Sequence, residues 1–474
     1  MKTLLIYPPC FSFLKSKSST NIPLGLPYLS AYLKNRGREV SILDLNMKMY
    51  LDSDKSNRIL WHEKNHNSWV VKESFLRKVL PRLQSIQDKW VDNILNSGPK
   101  IVGFYISSTT RWMALSIARK LKQKDNNVLI IFGGPDCYKE RAEEFLGTTY
   151  VDAVVTGEGE VTLFEIIDCY EKSGRISSCP GAFFRINGKI IYGGQRELIN
   201  DLDILPYPDF SDLIDDYKTI FGDKLWLSIS WLRGCPHRCA FCYESKFWGS
   251  CRGRLPQSVV NEFIYQENKY GIRKFHKADS TLAVSKGQLE QICDLLIEAK
   301  LDVKWYSQSR AEGYLTLPLL QKMRKSGCKA LSYGVESGSQ SVIDRMNKGL
   351  DLKTEQEVII HTDEAGIGAS ITIMAGAPGE TIIDFIKSIW FILKNAKFID
   401  NLSVSAAGLF PMSDWYLRPE KYGIIMGRKR YYFWRSKYCT NNRYARAAKK
   451  YLIEAIYNIF IWNRKSEKRR KLIK

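Results

Sequence analysis

The sequence predicts an α/β protein in which a doubly wound, Rossmann-like sheet is followed by a partial (β/α)6 barrel and a helical C-terminal region. Two observations predict this class: short β-branched segments alternate with amphipathic helical segments, and residues 176–224 separate a first series of this alternation from a second. The length agrees, because 474 residues exceed one ordinary hydrophobic core. We therefore predict four parts, at residues 1–175, 176–224, 225–420 and 421–474.

The first part is predicted to contain five strands. "TLLIY" leads through a helical segment, which Gly37 ends, to "EVSILDLN". After a polar insertion at about residues 47–99, "KIVGFYIS", "NVLIIFGG" and "DAVVTGEGE" follow. In doubly wound sheets, ligands bind at the carboxyl ends of the strands. This sequence places its polar and Gly-rich turns at those ends.

The sequence pattern after residue 175 predicts a connector and then a second sheet. "RINGKIIYGG" indicates a hairpin, and the Pro-containing "DLDILPYPDF" indicates a linker. Six further strands follow: "LWLSISW", "KFHKADS", "VKWYSQSR", "KALSYGVES", "ASITIMAG" and "NLSVSAAG". Helical segments between these strands predict a partial barrel with active residues at the carboxyl ends of its strands.

The composition is typical of a folded enzyme, with 45% hydrophobic and 12% aromatic residues. The net charge of +21 favours an anionic partner, but much of the excess lies in "IWNRKSEKRRKLIK" at the C-terminus. A solvated tail is the favoured interpretation, with contact to anionic lipid or RNA as the alternative. No apolar stretch approaches the roughly 18 residues of a spanning helix, and the N-terminal apolar run is too short for a signal peptide. We therefore expect no transmembrane segment and a cytoplasmic protein.

A cluster of thiols follows the first barrel strand. Cys235, Cys239 and Cys242 have C-x3-C-x2-C spacing in "CPHRCAFC". Iron–sulfur clusters are held by thiolates and can leave one iron without a protein ligand, whereas structural zinc sites take four ligands. Zinc would require Cys251 or His237 to join. The spacing favours iron–sulfur and leaves zinc as an alternative.

"CPHRCAFC", with Phe241 before the third cysteine, resembles the cluster motif of the radical S-adenosylmethionine (SAM) superfamily. The resemblance implies that the three cysteines bind three irons of a 4Fe-4S cluster whose fourth iron binds SAM. An electron from a donor such as flavodoxin or ferredoxin would cleave SAM to methionine and a 5′-deoxyadenosyl radical, which abstracts a substrate hydrogen.

Later segments resemble the SAM site of the cobalamin-dependent branch, which includes anaerobic cyclases and radical SAM C-methyltransferases. These segments are "GVESGSQSVIDRMNKG" and "MAGAPGET". Relatives often carry paired acids at the end of the second barrel strand, where this chain has Ala278 before a single acid. The SAM contacts that the resemblance implies are Phe241, Asp279, Arg310, Glu336, Ser337 and Gly376.

The first part resembles the cobalamin-binding domain of such enzymes, through "YPP", "IPLGLPYLSAYLKNRG", "ISS", "GGP" and "VVTGEGE". Its only histidines are His62 and His66, and Asp136 stands where relatives often have His, so we expect no histidine ligand on cobalt. A domain that keeps the fold without the cofactor is the alternative. The implied cobalamin contacts are Ser107, Ser108, Gly133, Gly134, Gly157 and Gly159.

The leading functional hypothesis is cobalamin-dependent methylation of an unactivated carbon in a small-molecule or peptide substrate of a biosynthetic pathway. Radical cyclisation or rearrangement without methyl transfer is one alternative. An RNA-modifying methylthiotransferase is another, although the cysteines of the first part share no motif and the chain end is predicted to be helical. The non-enzyme alternative is a zinc-bearing nucleic-acid-binding module. No catalytic acid or base is identified.

Overall fold

The computed structural model describes residues 1–10, 20–427, 434–437 and 441–459. By its internal contacts the chain divides into two compact units, Met1–Ser228 and Ile229–Lys474. The finer division into four parts stays a prediction.

The first unit contains a seven-stranded sheet in the order β3-β1-β4-β5-β6-β7-β8. The strands β3, β1, β4, β5 and β6 are parallel, which confirms the five predicted strands. The predicted hairpin is also present, and its two strands extend the same sheet in antiparallel fashion. The strands of this unit are β1 Thr3–Tyr7, β2 Thr20–Asn21, β3 Val40–Asp44, β4 Ile101–Tyr105, β5 Leu129–Gly133, β6 Ala153–Val155, β7 Ala182–Ile186 and β8 Lys189–Tyr192.

Amphipathic helices accompany this sheet. The polar insertion is helical, and its longest helix, Leu80–Asn96, buries Leu83, Gln87, Val91 and Ile94 as one stripe. Glu160–Ser173 ends at Gly174, which has the left-handed φ of 68° common at helix ends. The other α-helices are Gly25–Lys34, Leu45–Asp52, Lys55–Arg58, His66–Val70, Lys72–Ser74, Arg111–Lys124, Lys139–Leu146 and Ile214–Phe221.

The second unit is built on the predicted barrel strands. The strand β9, Leu225–Ile229, crosses the boundary between the units, and its last residue accepts a backbone hydrogen bond from Ala278 at 2.9 Å. The strands β12 to β16 then pair in parallel in chain order, which confirms the partial barrel. The remaining strands are β10 Leu232–Arg233, β11 Arg252–Gly253, β12 Lys274–Lys277, β13 Lys304–Ser309, β14 Cys328–Glu336, β15 Gly368–Ala375, β16 Asn401–Ala406, β17 Ile424–Met426 and β18 Trp434–Ser436.

Helices connect these strands. They are Glu244–Phe247, Pro256–Tyr270, Lys286–Glu298, Leu317–Lys325, Gln340–Arg345, Leu352–Glu364, Ile382–Lys394, Asp414–Leu417 and Arg443–Tyr457. The last of them confirms a helix in the C-terminal region, but β17 and β18 form an antiparallel pair that was not predicted. The basic tail at 461–474 lies outside the described residues. Within the described ranges, no helix is both long and apolar enough to cross a membrane.

Candidate active site

The three clustered cysteines lie in the loop after β10, half-buried and without a disulfide. Burial raises the pKa of each thiol, that of Cys242 to about 12, and the Cys239 sulfur raises the pKa of Cys235 and Cys242 further. The three sulfurs therefore influence one another's ionisation. Among the described residues, no group of three or more His, Cys, Asp or Glu side chains has an arrangement that could hold a metal ion.

Asp279, which follows β12, holds the turn that leads into this loop. One carboxylate oxygen accepts a hydrogen bond from the Ser230 hydroxyl at 2.6 Å. The other accepts the backbone N–H groups of Trp231 at 2.7 Å and Leu232 at 3.2 Å. It also pairs with the ammonium of Lys277 at 2.8 Å, and both side chains are buried. The Asp279 carboxylate therefore has its described contacts within the protein, where it anchors the segment before the cysteines.

Arg310, which follows β13, contacts the cysteine loop directly. Its Nη1 donates to the Cys239 sulfur at 3.3 Å, and its Nη2 donates to the Lys348 carbonyl. Its Nε donates at 3.3 Å to Glu312, which also pairs with His237 at 3.1 Å. Arg310 lowers the pKa of Cys239, because a nearby cation favours the thiolate. The positive charge therefore partly offsets the cost of burying that thiolate.

Glu336 and Ser337 are adjacent in the chain but have different surroundings. Glu336 has a left-handed φ of 69° at an irregularity of the β14–β15 pairing, and accepts a hydrogen bond from Thr372 at 3.4 Å. Burial raises the pKa of its carboxyl group, and the Lys348 ammonium opposes this shift. The Ser337 hydroxyl is buried 3.1 Å from that of Ser388, on the helix Ile382–Lys394. Its described contacts therefore lie on the helix side of β14.

The other two predicted SAM residues pack against the C-terminal part of the second unit. The Phe241 ring lies 5.8 Å from the ring of Trp415 in an apolar cluster. Gly376 has a φ of 77°, and a Cβ there would come within 2.3 Å of the Arg446 side chain, on the helix Arg443–Tyr457. Close packing of that helix accounts for this glycine.

Sequence reasoning missed the residues that support these groups. Lys277 stands two positions before Asp279, and Glu312 stands two positions after Arg310; oppositely charged residues at this spacing at a strand end were an available signal. Lys348 gave no local signal, since its buried ion pair with Glu355 depends on the turn between two helices.

Comparison with known proteins identifies this unit. The family model described as "Radical SAM superfamily" matches residues 229–392, which include the cysteine loop and the strands β12 to β15. The chain contains a radical SAM domain. Such a domain implies an enzyme that uses a 4Fe-4S cluster, SAM and a reductant. The donor set suits the cluster, since three half-buried thiols lie in one loop and Arg310 lowers the pKa of two of them, Cys235 and Cys239.

Among the relatives of this radical SAM enzyme is an uncharacterized methyltransferase of Pyrococcus horikoshii, 26% identical over 80% of this chain and 75% of its own. An anaerobic magnesium-protoporphyrin IX monomethyl ester cyclase of Synechocystis is 24% identical over 71% of this chain and 61% of its own. The solved structure of OxsB, a cobalamin-dependent SAM radical enzyme with aqua-cobalamin bound, superposes with a TM-score of 0.71 at 15% identity. The matched region covers 96% of this chain and 66% of OxsB, and the two proteins share this fold.

The predicted cobalamin contacts lie in the first unit of the radical SAM enzyme, at the carboxyl ends of three neighbouring strands. The sheet register pairs Tyr105 with Gly133, and Gly133 with Val155. The last residue of β5, Gly133, and the segments that follow the three strands provide the six predicted residues, Ser107, Ser108, Gly133, Gly134, Gly157 and Gly159. One edge of the sheet therefore brings them together.

Their individual surroundings differ. The Ser107 hydroxyl lies 3.0 Å from that of Thr109, and a Cβ on Gly134 would meet the Ile106 carbonyl at 2.6 Å, so close backbone packing explains that glycine. A Cβ on Gly159 would contact Leu29 at 3.2 Å. Gly157 has a φ of 73°, and nothing lies within 4 Å of where its Cβ would stand. That open position, at the edge of the sheet where a ligand is predicted, leaves space for a bulky group.

Proposed function

We propose that this radical SAM enzyme binds cobalamin and methylates an unactivated carbon of a small-molecule or peptide substrate in a biosynthetic pathway. The observation that carries the proposal is that one chain has both a half-buried cysteine loop held by Asp279 and Arg310, and a sheet edge left open at Gly157. When bound, the cluster with SAM supplies a hydrogen-abstracting radical, and cobalamin supplies the methyl group. The named methyltransferase and cobalamin-dependent relatives support this assignment.

The residues of the chain would hold and orient these groups. Cys235, Cys239 and Cys242 would each give a thiolate to one iron, with Arg310 stabilising the charge. Of the six proposed SAM contacts, we assign the direct polar role to Glu336. Its partly buried carboxylate accepts one hydrogen bond from the described residues, from Thr372, and so keeps capacity for a ligand donor. A donor such as flavodoxin or ferredoxin would supply the electron.

The decisive experiment follows the products of SAM in anaerobically reconstituted protein with cobalamin and a chemical reductant. We expect both 5′-deoxyadenosine and S-adenosylhomocysteine, the second because methyl transfer leaves the demethylated form of SAM. 5′-Deoxyadenosine without S-adenosylhomocysteine would favour cyclisation or rearrangement, as the cyclase relative suggests. Cys242→Ala is the control for radical formation and should abolish 5′-deoxyadenosine.

Cobalamin binding has its own matched pair of variants. Gly157→Leu places a side chain in the open position, whereas Gly174→Leu imposes the same left-handed strain at a helix end, also with open space around it. We expect Gly157→Leu to lose the visible absorption of bound cobalamin and Gly174→Leu to keep it. Equal retention by both variants would contradict this placement of the cofactor.

A further inference from the structure

The helix Ile382–Lys394 exposes an unusual number of large apolar side chains. Its inner side packs through Phe385, Phe391 and Ile392. Five side chains on its other side are between 41% and 65% exposed, and we call them the apolar face: Ile382, Ile383, Ile386, Trp390 and Leu393. Together they present roughly 600 Å² of apolar surface, at the upper end of what a monomeric protein usually leaves uncovered.

The start of the helix does not require this composition. Thr381 and Asp384 form a capping box, which satisfies the first backbone N–H groups. Asp384 also accepts hydrogen bonds from Ser339 at 2.6 Å and Ser341 at 3.0 Å, so it is committed to the interior. Ile382 and Ile383 therefore have no capping role, and polar residues at these positions would preserve the helix start.

The exposed charged residues of this helix and of the turn after it are all lysines. Lys387, Lys394 and Lys397 are exposed, and Asp384 is the only acidic residue between positions 381 and 399. The Lys394 ammonium lies 5.4 Å from the centre of the Trp390 ring. Apolar and aromatic side chains flanked by lysines match a lipid interface, where the rings sit at headgroup depth and the ammonium groups meet anionic headgroups.

We propose that the apolar face docks the enzyme onto an anionic lipid surface, in the plane of the headgroups. The net charge of +21 acts in the same direction. A second copy of the chain is disfavoured, because a two-fold contact would bring two sets of three lysines into one interface, and the apolar area falls below the ~800 Å² per partner of a standard interface.

The test is co-sedimentation of the full chain with vesicles of phosphatidylcholine alone or mixed equally with phosphatidylglycerol. The wild-type protein should sediment with the mixed vesicles and at least tenfold less with the neutral ones. The double variant Ile386→Asp/Trp390→Asp should lose at least tenfold in binding. Ile204→Asp, at a position 63% exposed in the first unit, makes the same kind of change elsewhere and should bind like the wild type.

Circular dichroism and the thermal transition must be unchanged in both variants, so that lost binding reports the surface and not the fold. Wild-type protein that ignores both vesicle types would overturn the proposal. Undiminished binding by the double variant would overturn it as well, and would move lipid contact elsewhere on the chain. A concentration-dependent dimer that only the double variant disrupts would reassign the face to a second copy.

Discussion

The network around Asp279 makes a quantitative prediction. In Asp279→Asn the amide keeps the size of the side chain but loses the negative charge, while Lys277 remains fully buried next to it. Removing one partner of a buried ion pair costs about 3–5 kcal/mol, mostly because the remaining charge is uncompensated. Two of the four contacts of Asp279 are backbone N–H groups in the turn before the cysteine loop, so loop order should fall together with stability.

The assay is anaerobic urea unfolding of the apoprotein followed by tryptophan fluorescence, with iron content after reconstitution as a second measurement. Trp231, whose ring lies 5.3 Å from the Lys277 ammonium, is one of the twelve tryptophans that contribute to this signal. The matched control is the double variant Lys277→Met/Asp279→Asn, in which no unpaired charge remains; it should recover part of the lost stability. Wild-type stability and iron content in Asp279→Asn would refute the anchoring role. So would a double variant less stable than the sum of its single changes.

Three further predictions concern single positions. Gly376→Ala should lower the thermal transition, by about 1–3 kcal/mol of stability, because its Cβ would overlap Arg446; an unchanged transition would contradict the close packing. Burial lowers the pKa of His276 from 6.5 to about 4, so the neutral folded form resists protonation and stability falls as the pH drops from 6.5 towards 4. His276→Phe should flatten this part of the stability–pH curve, by up to about 3 kcal/mol, whereas an equally steep curve would assign the loss to other groups. Cys251→Ala should keep the iron content of the wild type, while loss of iron would restore a four-cysteine site.

The strands were predictable because their signal is local. β-Branched runs bounded by turns placed all six barrel strands and the five parallel strands of the first unit. The pair β17 and β18 was missed, since three-residue strands are too short to show an alternating pattern.

The site was predictable in position but less so in detail. Sequence order placed Asp279, Arg310 and Glu336 at the ends of successive parallel strands, and parallel strands end at one edge. What each side chain contacts depends on segments distant in sequence. Ser337 contacts Ser388, and Gly376 packs against Arg446, because whole helices pack at these positions. The residues next to Ser337 and Gly376 in the sequence do not indicate these contacts.

Arg310 contacts three separate segments of the second unit. Its guanidinium joins the cysteine loop, the turn at Glu312 and the backbone at Lys348. A ligand carboxylate that recruited Arg310 would have to displace at least one of these contacts or share it. Ligand binding and hydrogen bonding at the Cys239 sulfur would then be coupled, and by reciprocity a change at the sulfur would alter the affinity for the ligand by the same factor. Hydrogen bonds to the sulfurs of an iron–sulfur cluster affect the reduction potential of the cluster. Binding of such a ligand would therefore shift the reduction potential of a cluster held by this loop.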